Sequence, residues 1–144
     1  MSLDVAFRLN KQYFTAGETI DGEILIHSSE HKLILKNGYL SLLVQEKVYH
    51  PVGCRNTEHK ENVEIYPFYN LKYQLFQKMT LSQTKIIPFK LILPYNAPGT
   101  YNGRIASCNW YLIFDCDIDK NGKTEHFNTT TEFAVFAKEY SIEI

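Results

Sequence analysis

The chain has 144 residues, 44% of them hydrophobic and 14% aromatic, and a formal net charge of -1. That length suits one domain whose core needs no disulfide or metal staple, and the weighting towards Tyr, Phe, Ile and Leu favours strands. Near-neutral charge with both signs scattered excludes a nucleic-acid binder that works through a basic face, and no stretch approaches the roughly 20 apolar residues of a membrane span.

Period-two alternation runs through most of the sequence. Leu3, Val5, Phe7 and Leu9 share one face of a first strand, with Asp4, Arg8 and Asn10 opposite. Thr15-Ala16-Gly17-Glu18 predicts a turn, and Ile20, Ile24 and Ile26 line the next strand. Gly22 falls on that apolar face and marks a bulge or a close backbone approach. Leu33-Ile34-Leu35 is a short apolar piece that breaks at Asn37-Gly38. Leu40, Leu42, Val44 and Val48 then alternate with Ser41, Gln45 and Lys47, and the polar segment Pro51–Asn62 predicts a long loop.

Val63, Ile65, Tyr69, Leu71, Tyr73 and Leu75 share one parity, and Met79–Lys85 predicts a second loop. Ile87, Phe89, Leu91 and Leu93 make another strand, closed by the turn residues Pro94 to Gly99. The clearest alternation follows, with Ala106, Cys108, Trp110, Leu112, Phe114, Cys116 and Ile118 on one face and Tyr111 and Ile113 on the other. Cys108 and Cys116 would stand about 26 Å apart on an extended strand at ~3.3 Å per residue, too far for a disulfide, so they are expected as core thiols. Three cysteines, an odd number, fit a reducing compartment. Asn121-Gly122 is a hairpin signal, and Phe127, Phe133 and Val135 belong to the returning strand. No window combines helical periodicity with caps. Seven or eight such strands predict an all-β, immunoglobulin-like antiparallel β-sandwich, a single domain over residues 1–144.

Candidate chemistry is sparse. Asp117, Asp119 and Asn121 place oxygen ligands at alternate positions with Gly122 sixth, as in the first half of a calcium loop, and Asp115 adds a carboxylate. The twelfth position, where a bidentate Glu belongs, is Asn128, and the flanks alternate as strands. A turn is the simpler use of these residues; the alternative is a calcium- or lipid-binding (C2-like) sandwich with Asp115, Asp117, Asp119 and Asn121 as ligands. His50, Cys54 and His59 lack the regular spacing and fourth ligand of a structural zinc site. No nucleophile elbow or zinc-protease motif is present, so neither a catalytic residue nor a cofactor is expected.

The order of motifs resembles the amino-terminal sandwich of arrestin-fold proteins. Tyr13-Phe14-Thr15-Ala16-Gly17-Glu18 followed by Asp21-Gly22-Glu23-Ile24-Leu25-Ile26 is similar to the opening of that sandwich. Ile87-Pro88-Phe89-Lys90-Leu91, Tyr101-Asn102-Gly103 and Trp110-Tyr111-Leu112 are similar to its later half. Leu3-Asp4-Val5, Lys36-Asn37-Gly38 and Phe68-Tyr69-Asn70 look most like the arrestin-like subunits of the endosomal sorting complexes retromer and retriever, the retriever subunit above all. The resemblance implies a non-enzymatic, cytoplasmic adaptor, peripheral at endosomes. Its implied partners are sorting-complex subunits or cargo tails, with no nucleic acid and only indirect membrane association. Members carry two such sandwiches in tandem, so the resemblance implies either an isolated first, amino-terminal sandwich or a single-domain relative. No partner-binding residue carries over individually.

Overall fold

A computed structural model describes residues 3–30, 32–52 and 60–137, with side chains for all of these except 49–52 and 60–69. Nine strands follow in order among the described residues: β1 (Leu3–Leu9), β2 (Tyr13–Thr15), β3 (Thr19–Ser28), β4 (Leu33–Val52), β5 (Lys60–Leu81), β6 (Thr84–Ile92), β7 (Tyr101–Asn102), β8 (Ala106–Lys120) and β9 (Lys123–Phe136). They form two sheets. One is three-stranded, in the order β1-β3-β6; the other is six-stranded, in the order β2-β9-β8-β4-β5 with β7 paired to β8. All pairings are antiparallel except that of β2 with β9.

Alternation decides which side chains meet between the sheets. Ile20, Ile24, Ile26, Phe89 and Leu91 come from the three-stranded sheet, and Leu40, Leu42, Val44, Trp110, Leu112, Phe114, Cys116 and Ile118 from the other. Trp110, Leu112 and Phe114 are fully buried while Tyr111 and Ile113 face outward and are half-buried, as the sequence predicts. The short parallel strand β2 brings Phe14 over the core beside Phe133, ring centroids 5.8 Å apart and nearly perpendicular. An edge-to-face arrangement of this kind is favoured by the ring quadrupoles.

The turns are shorter than the sequence predicts. The segment 79–85 is not a loop: β5 runs to Leu81, β6 starts at Thr84, and only Ser82 and Gln83 turn the chain, Gln83 with φ of 81°. Polar side chains there belong to strand ends, whose exposed faces tolerate them. Within Pro51–Asn62, β4 extends to Val52 and β5 begins at Lys60, while 53–59 lie outside the described residues. Asn37-Gly38 does not break the chain either. Asn37 takes φ of 53° and the register shifts between Lys36 and Tyr39, so the feature is a bulge inside one long strand. The turn between β8 and β9 is Asn121-Gly122, with φ of 52° and 79°, the left-handed pair that matches the twist of a two-residue hairpin.

Candidate interaction surface

Asp115, Asp117 and Asp119 lie at alternate positions on the outward face of β8, and Asn121 lies in the turn beyond them. The structure strings these groups along a strand and gives two of them protein partners. Asp117 faces His126 Nδ1 at 3.0 Å and accepts from Asn37 Nδ2 at 3.2 Å. Asp119 pairs with Lys36 Nζ at 2.7 Å and accepts from the Thr124 hydroxyl at 3.0 Å. The His126 contact chiefly holds the Asp117 carboxyl below its usual range, and Lys36 does the same for Asp119. Among the described residues no group of three or more His, Cys, Asp or Glu is placed to hold a metal ion.

Cys108 and Cys116 sit in the core as free thiols. Burial raises the Cys108 pKa and pushes that of Cys116 up to about 12, so both are protonated and poor nucleophiles at neutral pH. His50 lies in β4 outside the described side chains, and Cys54 and His59 lie outside the described residues.

A concave feature lies on the three-stranded sheet. A trough of about 570 Å³ crosses β1, β3 and β6. Register builds it in parallel rows: Arg8, Glu23 and Pro88 stand opposite one another, as do Leu9, Gly22 and Phe89, and Asp21 faces Lys90 with Asn10 beside it. By alternation the first and last rows project outward, and the middle row turns its side chains to the core. Gly22 is required there. A Cβ at that position would come 2.5 Å from the Phe89 ring and 3.0 Å from the Arg8 carbonyl oxygen.

Two ion pairs bridge neighbouring strands within the outward rows, Arg8 with Glu23 at 3.3 Å and Lys90 with Asp21 at 3.6 Å. Their side chains are 39–80% exposed, and such pairs contribute little to stability. Exchanging them for a partner's charges therefore costs little. Ile86 and Ile92 are also exposed, at 48% and 67%, and share the outward face of β6 with Pro88 and Lys90. Exposed apolar groups interleaved with exchangeable charges suit protein contact. Residue patterns did not single out this surface, because its rows come from three strands and appear only once register is known. Gly22 and the mid-strand Pro88 were its visible traces.

Neither a protein-family model nor a curated protein matches the chain. Among solved structures it is similar to Spo0M, a sporulation control protein from Bacillus subtilis, with a TM-score of 0.67 and 16% identity. The match covers 96% of this chain and 51% of that one, so the chain spans about half the length of the neighbour. Identity this low bears on the fold alone, and the fold is an arrestin-like β-sandwich.

Proposed function

We propose that this domain is a non-enzymatic protein-interaction module and acts as an adaptor in endosomal membrane trafficking, as the arrestin-like subunits of retromer and retriever do. The observation that carries the interaction reading is the trough across β1, β3 and β6, with its exchangeable ion pairs and the exposed Ile86 and Ile92 beside it. The trafficking assignment rests on the sequence resemblance to the sorting-complex subunits, carried by Leu3-Asp4-Val5, Lys36-Asn37-Gly38 and Phe68-Tyr69-Asn70. On this reading the partners are sorting-complex subunits or cargo tails, the domain works at the cytoplasmic face of endosomes, and membrane contact comes through those partners. The test uses the chain as bait in cell lysate, beside a variant carrying Asp21→Lys and Glu23→Lys. Wild type is expected to recover endosomal sorting proteins and the variant to lose them, while neither sediments with anionic liposomes at physiological salt. An eluate without trafficking proteins, or strong liposome binding, overturns the assignment.

A further inference from the structure

Among the described residues β1 and β6 form the two free edges of the three-stranded sheet, and these edges are built differently. The Leu93 amide donates to the Glu18 carbonyl at 2.9 Å and that of Ser28 to the Gln83 carbonyl at 2.8 Å. These bonds continue the β3–β6 register, so odd-numbered β6 residues turn their amides and carbonyls to β3 and even-numbered ones turn theirs outward. Pro88 is even-numbered. The β6 edge therefore lacks a donor at its centre, a device that blunts edge pairing.

On the other side, the Asn10 amide donates to the Asp21 carbonyl at 2.9 Å, in the register of β1 with β3. Even-numbered β1 residues thus bond to β3, and Leu3, Val5, Phe7 and Leu9 direct their N–H and C=O groups to the free edge. No proline or bulge interrupts that row, and no described strand pairs with it. The side chains of Val5, Phe7 and Leu9 are only partly buried against the core, so the apolar layer between the sheets is incomplete at this edge.

We propose that β1 pairs antiparallel with β1 of a second copy of this chain, joining two three-stranded sheets into one of six strands about a two-fold axis at Ala6. Parity permits hydrogen-bonded pairs only between outward, odd-numbered residues. A register centred on Ala6 meets this, with Leu3 opposite the second copy's Leu9 and Val5 opposite its Phe7. Aromatic and β-branched side chains opposite one another stabilise antiparallel sheets. The same register sets Asp4 opposite the second copy's Arg8, twice by symmetry, in the non-hydrogen-bonded positions where side chains approach most closely. The smallest side chain of the strand, Ala6, meets itself at the axis. The edge is thus complementary to itself in hydrogen bonding, charge and size, the condition for an isologous dimer. This inference rests on β1 and its register, and shares only Arg8, Leu9 and Asn10 with the trough.

Sedimentation velocity on the chain across a wide concentration range tests it. The expected result is a concentration-dependent monomer–dimer equilibrium that weakens with salt. Asp4→Arg, which sets like charges together, is expected to raise the dissociation constant at least tenfold, about 1.4 kcal/mol, and the charge swap Asp4→Arg with Arg8→Asp to restore it. Val5→Pro removes an outward donor while leaving every bond to β3, and is expected to give a folded monomer. Thermal melts of each variant separate lost pairing from lost folding. A chain that stays monomeric at every concentration overturns the proposal, as does a dimer indifferent to Asp4→Arg and Val5→Pro. If the β1 amides become protected from hydrogen exchange only on adding a foreign peptide with alternating apolar residues, the edge belongs to that strand instead.

Discussion

The Trp110 indole Nε1 donates a 2.8 Å hydrogen bond to the Pro98 carbonyl oxygen. A fully buried ring on β8 thereby holds the 94–100 connection, which is fixed at its far end by the Thr100 amide on the Val135 carbonyl. Trp110→Ala is expected to cost about 3–5 kcal/mol, the range for emptying a large aromatic site. Trp110→Phe keeps much of the packing and loses the bond, and should cost about 1 kcal/mol for that bond together with a smaller cavity term. Urea unfolding of both variants measures these losses. A cost below 1 kcal/mol for Trp110→Ala would contradict the burial.

Gly22 is a test of the trough. Its middle row leaves no room for a methyl group, since the position a Cβ would take lies 3.0 Å from the Arg8 carbonyl oxygen and 2.5 Å from Phe89 Cζ. Gly22→Ala is expected to destabilise by about 1–3 kcal/mol through overpacking and the shift it forces on β1 or Phe89. Gly122→Ala meets open space and suffers only its left-handed backbone, φ of 79°. Denaturant midpoints for the two should rank Gly22→Ala as the worse. The reverse order would place the Phe89 ring elsewhere.

The sandwich was legible in the sequence wherever one face of a strand meets the core and the other meets water. From Cys108 to Ile118 the inward positions are apolar and buried at every second residue. The edge strand β5 hid its end, because an exposed edge carries polar residues that look like loop, as Thr80 does beside Ser82, Gln83 and Thr84. The β4 bulge hid for a different reason. Asn37-Gly38 is as good a signal for a turn as for a left-handed bulge, and only pairing on both sides decides between them. No local pattern announces β2, three residues long and parallel to a strand more than a hundred positions away. The carboxylates of β8 were visible as residues, but Lys36, Asn37 and His126, which engage them, come from neighbouring strands and a register the sequence does not display.

Acid should weaken the fold through three carboxyls. Glu18 is held below its usual pKa chiefly by Lys11, Asp117 by His126 and Asp119 by Lys36. A carboxyl with a depressed pKa in the folded state contributes stability that is present above its unfolded value and lost as pH falls through the folded one. Urea midpoints should therefore decline below about pH 4, near the ordinary carboxyl range, and Asp117→Asn should flatten part of that decline. Cys116 acts with the opposite sign. Burial raises its pKa to about 12, so its contribution is full below the unfolded thiol value and is lost as pH rises towards 12. An alkaline decline that persists in Cys116→Ser would show that the thiol is not its source.

Calcium separates the turn from a metal site at the end of β8. The calcium reading asks Asp115, Asp117, Asp119 and Asn121 to converge on one ion with six to eight oxygens around it. Convergence would require the Asp119 carboxylate to leave Lys36 at 2.7 Å and the Asp117 carboxylate to leave His126 at 3.0 Å. It would also unwind a hairpin whose two turn residues already take the left-handed conformation their type favours. An ion that bound only the folded form would stabilise it by about 2.7 kcal/mol at a hundredfold excess over its dissociation constant, a shift that thermal melting detects easily. The expected outcome is an unchanged melting temperature in millimolar calcium. Asp117→Asn should weaken the protein equally with and without the ion, because what it loses is the contact with His126. A clear rise in wild type that Asp117→Asn abolishes would instead assign the carboxylates to calcium and make lipid binding the next property to measure.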